Sequence, residues 1–296
     1  MLTRTFVLVA LAGVAQVPAP LPQHPSPMSD TTRPHPRLAE QTPAGRRAPV
    51  GEGTLFLPPA ARGPRLPLVL HFHGAPMARG APGGEPAASG GPRHLPAGQR
   101  PGVYGRAFAE PGRLADVLAA AEAEARRITG HPVVFDPVVL SSFSAGYGAV
   151  RAILRHADDY ARVSAVVLAD SLHASYDARD AAAARTADLP VVAGDLDAFL
   201  RLAADAAAGR KAFVVTHSEV YPGTYASTTE TADALLRAVE LRRRAALDAG
   251  PIGMQQLSAT SRGRLRVVGY AGNSAPDHMD HLYALGHALA AALRRR

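Results

Sequence analysis

A chain of 296 residues with 47% hydrophobic side chains is long enough to bury a substantial core in one α/β domain. It has no cysteine, which excludes disulfides and lipid-modified cysteine, so stability has to come from the core alone. The net charge of +7 comes from scattered arginines, with Lys211 the only lysine, and no basic face interleaved with aromatics emerges, so no nucleic-acid partner is expected.

Met1-Leu2-Thr3-Arg4-Thr5 and the apolar run Phe6 to Ala15 read as a secretory signal peptide, with Gly13-Val14-Ala15 at its exit. Residues 1–15 are therefore expected to direct export to the periplasm or the exterior. That run is too short to span a bilayer, and no other segment is long enough. Residues 16–50 carry many prolines and few large apolar groups, and read as a flexible linker before a domain at 51–296. Strands are expected at Thr54 to Leu57 and at Leu68 to Phe72, the second running into His73-Gly74. Ala75 to Gly105 is rich in glycine and proline and would overhang the end of that strand. A helix follows from Gly112 to Thr129, stopping at Gly130.

Val138-Val139-Leu140 then breaks into Ser141-Ser142-Phe143-Ser144-Ala145-Gly146-Tyr147-Gly148 and resumes as a helix to about His156. Ser164 to Ala169 is a strand ending at Asp170, with Ser171-Leu172-His173 behind it, and a helix runs from Leu196 to Ala208. After the strand Ala212 to Thr216, Ser227-Thr228-Thr229-Glu230 has the spacing of a capping box and is assigned to opening a helix through Leu247. The last strand is Arg266 to Tyr270, and Asp277-His278-Met279-Asp280-His281 opens the terminal helix. Arg242 to Arg244 and Arg294 to Arg296 fall near expected helix ends. Unbroken apolar strands separated by helices imply a three-layer α/β/α sandwich with a mostly parallel sheet.

Ser142 and Gly146, two positions either side of Ser144, are small enough for a sharp strand-to-helix turn that pushes the Ser144 hydroxyl out at the top of the sheet. The usual motif is Gly-x-Ser-x-Gly, and here it reads Ser-x-Ser-x-Gly. With the His-Gly strand end upstream, an acid-ended strand downstream and late histidines, the chain resembles the α/β-hydrolase superfamily over residues 51–296. The resemblance implies a serine hydrolase without a cofactor that cleaves a small or polymeric ester, as a carboxylesterase or a depolymerase of a polyester or acylated sugar does. Ser144 would be the nucleophile, and His278, nearest the last strand, its base, with His281 as alternate. Asp170 would be the acid, with Glu219 as alternate, since the superfamily more often places its acid after the next strand. The amides of Ala75 and Ala145 would form the oxyanion hole, and His73, Gly74 and His173 would line the substrate pocket.

Two other readings compete. His71 and His73 alternate on one strand and, with the late His/Asp cluster, could serve a metal-dependent hydrolase. An α/β-hydrolase-like binding protein without catalysis is the second.

Overall fold

The apolar runs condense into a ten-stranded sheet in a computed structural model that describes residues 43–73, 89–92, 101–177 and 191–294. Its strands are β1 (Arg46–Val50), β2 (Gly53–Leu57), β3 (Arg65–Phe72), β4 (Ser89–Pro92), β5 (Val134–Phe143), β6 (Val163–Ala169), β7 (Ala212–His217), β8 (Ala245–Ala249), β9 (Gln255–Arg262) and β10 (Leu265–Tyr270). Their order is β1-β2-β4-β3-β5-β6-β7-β10-β9-β8. The stretch from β4 to β10 is parallel, and antiparallel pairs finish both edges.

Strand periodicity assigns alternate side chains to the two faces. Leu68, Leu70 and Phe72 of β3, Leu140 of β5, Leu168 of β6 and Phe213 of β7 join one cluster. It is covered by α1 (Pro101–Ala107), α2 (Arg113–Thr129), α3 (Tyr147–Arg155), α5 (Ala193–Ala207) and α6 (Thr228–Ala238), with the short α4 (Ala157–Arg162) between α3 and β6. Val69, Val139, Val167 and Val214 join the other, under Leu282 of α7 (Ala275–Tyr283) and Leu285 and Leu289 of α8 (Leu285–Leu293). This is the expected three-layer sandwich.

Several boundaries differ from the sequence reading. The domain starts before residue 51: Arg46–Val50 pairs with β2, buries Ala48 and lays the Arg47 guanidinium over the Phe56 ring. Pro49 obscured this strand, although an edge position tolerates proline. The helix opened by Ser227 ends at Ala238 rather than Leu247, where Glu240 turns left-handed (φ 55°) and Leu241 N–H donates to the Leu236 carbonyl. Arg242 to Arg244 therefore lie beyond a helix rather than in one, and Arg243 pairs with Asp233. The terminal helix breaks at Ala284 into α7 and α8. No described helix is long and apolar enough to cross a membrane.

Candidate active site

Three strands end in residues with left-handed backbones: His73 after β3 (φ 69°), Ser144 after β5 (φ 49°) and Asp170 after β6 (φ 44°). A non-glycine residue holds that conformation only when its surroundings impose it, and such positions concentrate at functional sites. All three lie at carboxyl ends of neighbouring parallel strands, where the loops of an α/β sheet converge.

Ser144 heads a short 3-10 turn, Ser144–Gly146, that leads into α3. Glycine at 146 is obligatory for packing: a Cβ there would lie 2.2 Å from the Phe72 carbonyl oxygen, so the turn can press against the end of β3 only without a side chain. Gly148 has the same role against the Pro101 carbonyl, at 2.0 Å. The serine at 142 replaces the usual glycine and joins a relay. The Ser171 hydroxyl has one proton and gives it to the Ser144 carbonyl (2.7 Å), so the Ser142 hydroxyl donates to Ser171 Oγ (2.7 Å). The relay braces the serine turn through its backbone carbonyl.

Asp170 is buried at the centre of the site. Oδ2 accepts from His278 Nδ1 at 2.6 Å and from Ser218 Oγ at 2.7 Å. Oδ1 accepts from Ser218 N–H at 2.9 Å and from Thr228 Oγ1. Burial alone would raise this carboxyl, but the charges of His281 and His278 and the hydrogen bonds from His278 and Ser218 outweigh it and hold it well below the usual carboxylate range. The bond to Asp170 places the His278 proton on Nδ1 and leaves an Nε2 lone pair. The Phe143 ring, one residue before Ser144, packs on the His278 imidazole with centroids 4.4 Å apart.

The alternates take other places. His281, one turn further along α7, is buried with Nδ1 on Thr216 Oγ1 at 2.8 Å, and burial brings it down to about 4. Glu219 is exposed and its Oε2 accepts from the Gly272 N–H at 3.3 Å. β3 ends at Phe72, so the alternation expected of His71 and His73 does not reach His73. Instead His71 Nε2 donates to the His73 carbonyl (2.6 Å), and His73 Nδ1 meets the Tyr104 hydroxyl (2.7 Å). Burial, then repulsion from His278, bring His73 down to about 4.

Asp277 caps α7 by accepting from the Ser274 N–H and hydroxyl. No three described His, Asp or Glu side chains are grouped so as to hold a metal ion. His173 lies three residues beyond Asp170 with Nδ1 on the Ala226 carbonyl. Ala145 is in the turn after Ser144, whereas Gly74 and Ala75 lie outside the described residues.

Ser218, Thr228 and Tyr104 were missed. Thr228 is the first residue of α6, and the Ser227/Glu230 capping box forms as expected. The same helix start that reads as local structure therefore also delivers a hydroxyl to the acid. Ser218, the first residue past β7 and immediately before Glu219, was the available signal, since a buried carboxylate needs several donors.

No family model matches this chain, and no curated protein is significantly similar to it. Solved structures similar to it include carboxyl esterase 2 from the mycorrhizal fungus Tuber melanosporum (15% identity, 87% of this chain and 88% of that one, TM-score 0.39). Others are the glucuronoyl esterase from Solibacter usitatus (14%, 79% and 76%, TM-score 0.35) and a fungal esterase from Rhizomucor miehei (13%, 84% and 82%, TM-score 0.40). A parallel sheet in the order β4-β3-β5-β6-β7-β10, a strained serine turn after β5, and a serine and an aspartate at strand ends followed along the chain by a histidine on the helix after the last strand make this the α/β-hydrolase fold.

Proposed function

We propose that the protein is an exported serine hydrolase that cleaves carboxylic esters through an acyl-enzyme on Ser144, with His278 as base and Asp170 as its partner. The observation that carries this reading is the buried Asp170–His278 pair, in ion-pair geometry at 2.6 Å, with the imidazole packed on Phe143, the residue before a serine held in a left-handed turn. In the first half-reaction Ser144 Oγ bonds to the carbonyl carbon while its proton passes to His278 Nε2. The tetrahedral oxyanion is held by backbone donors, for which the Ala145 amide is one candidate and the Ala75 amide the other. Collapse breaks the bond to the alcohol oxygen, and the proton on Nε2 leaves with the alcohol. Water then repeats the cycle: His278 takes its proton, its oxygen bonds to the acyl carbon, and Ser144 Oγ departs with the proton as the acid is released. Asp170 keeps the imidazole in the required tautomer and stabilises the transient imidazolium without taking up the proton. No cofactor enters these steps.

Export is supported by the charged start, short apolar run and small-residue exit of residues 1–15. Fractionation of cells expressing the full chain tests it: recovery outside the cytoplasm with residues 1–15 removed is expected, and protein confined to the cytoplasm with its N-terminal segment intact refutes it. For the chemistry, the chain is treated with a fluorophosphonate and assayed on chromogenic esters, with a chelator in parallel. An adduct on Ser144, loss of turnover in Ser144→Ala and indifference to chelator are expected. Chelator-sensitive turnover without labelling would instead favour the metal reading, and turnover by Ser144→Ala at the wild-type rate would overturn the mechanism.

A further inference from the structure

The loop leaving β6 carries a polar group that the acyl-transfer steps do not use. His173 Nδ1 lies 3.0 Å from the Ala226 carbonyl, and a carbonyl only accepts, so Nδ1 bears the proton and Nε2 offers a lone pair. Burial lowers the basicity of this ring, with the Ala226 bond and Asp170 opposing, so the neutral form persists at neutral pH. Nε2 has no partner among the described residues, and it is not among their sealed, unpartnered side-chain atoms. It is therefore a fixed acceptor open to a donor from outside. The edge-to-face neighbours Tyr147 (5.7 Å) and Tyr225 (5.0 Å) hold the ring in place.

Tyr147 begins α3 directly behind the serine turn, and Tyr225 lies on the β7–α6 connection that also supplies Ser218 to Asp170. Among the described residues the large exposed aromatic side chains are Tyr221 and Tyr225, 46% and 43% exposed, and both belong to that connection. The candidate site is thus walled on this side by an exposed aromatic face beside a neutral acceptor.

We propose that this wall selects esters of carbohydrates: a substrate hydroxyl donates to His173 Nε2 while the C–H face of the sugar ring packs on Tyr225. The inference rests on Ser144 being the nucleophile. A purely alkyl or aryl ester covering the wall would desolvate the Nε2 lone pair without replacing its hydrogen bond, and sites built to bind a hydroxyl discriminate against ligands that lack one. A sugar supplies both the donor and the apolar ring face.

The test compares kcat/KM for a monoacetylated methyl glucoside with kcat/KM for p-nitrophenyl acetate in the wild type, His173→Phe, Tyr225→Ala and Tyr225→Phe. The ratio of sugar ester to aryl ester is expected to fall about 10-fold or more in His173→Phe and Tyr225→Ala, and to be retained in Tyr225→Phe, which keeps the ring. Tyr225 is exposed, so its variants read out even if His173→Phe misfolds. An unchanged ratio in Tyr225→Ala and folded His173→Phe overturns the proposal, as does a wild type that hydrolyses p-nitrophenyl acetate but not the sugar ester. If neither ester is cleaved and Ser144 takes no fluorophosphonate, it is the hydrolase reading that has failed.

Discussion

Asp170→Asn preserves the size of the acid but reverses one end of it. Oδ1 of Asp170 faces the Ser218 N–H and Thr228 Oγ1, and the backbone donor cannot turn away, so the amide oxygen must settle there. The NH2 group then falls at the Oδ2 position, facing His278 Nδ1 at 2.6 Å and the Ser218 hydroxyl at 2.7 Å, and the hydroxyl can rotate to accept. A donor facing Nδ1 requires a lone pair on that nitrogen, so the imidazole proton moves to Nε2, the atom that has to receive the Ser144 proton. The tautomer is wrong and the imidazolium loses its counter-charge, a combination worth about 10⁴-fold in kcat, or about 5.5 kcal/mol of barrier. The hydrogen bonds are exchanged rather than lost, so folding stability should fall by no more than about 1–3 kcal/mol. Ester turnover, the urea midpoint and the imidazole ¹⁵N shifts of His278 read the three consequences separately. A folded variant within tenfold of the wild-type kcat, or one with the His278 proton still on Nδ1, would refute the reasoning.

Thr228→Val removes one hydroxyl donor to the carboxylate at nearly constant volume; kcat should drop about 10-fold and recover in Thr228→Ser, and an unchanged kcat would show that this bond does not position the acid. Gly146→Ala places a Cβ 2.2 Å from the Phe72 carbonyl oxygen, which is backbone and cannot yield without moving β3. A loss of about 1–3 kcal/mol in stability and of most turnover is expected, measured by urea unfolding and ester assay, and a stable active variant contradicts the packing. Glu219→Gln should leave kcat within about twofold, because its side chain is exposed and bonded to Gly272; a loss approaching that of Asp170→Asn would move the acid to Glu219.

Acid should weaken the fold. His281, at about 4 when folded and 6.5 when unfolded, binds its proton more readily in the unfolded chain, so its stability contribution is complete above pH 6.5 and declines as pH falls toward 4. At pH 5 this amounts to about 2 kcal/mol, with His73 acting in the same direction. Urea midpoints that coincide at pH 7.5 and pH 5 would refute it.

The strand cores were legible because parallel strands buried on both faces read as continuous apolar runs, and the serine turn because its backbone tolerates only small flanking residues. Asp170 stood out as a charge ending the apolar run Val166 to Ala169. The edges were not legible for the converse reason. β8 is largely exposed and β1 carries a proline, so neither has an apolar signature, and Leu241 and Leu247 prolonged the helical spacing of Leu235 and Leu236 past its true end. Thr228 was hidden because its helix-opening role fully accounts for it along the chain, and its second role exists only across the 58 residues separating it from Asp170.

The tie between Asp170 and the β7–α6 connection bears on how this site can be altered. Beyond Asp170 the chain is pinned twice, by the Ala174–Ala226 and Tyr176–Val191 bridges, before it passes into residues 178–190. Asp170 is thus anchored from the β7–α6 connection by Ser218 and Thr228, and the chain just behind it is tied to that same connection at Ala226 and to the residues before α5 at Val191. The position of the carboxylate is therefore shared between two connections, and a change in either one reaches it only against the ties that the other supplies.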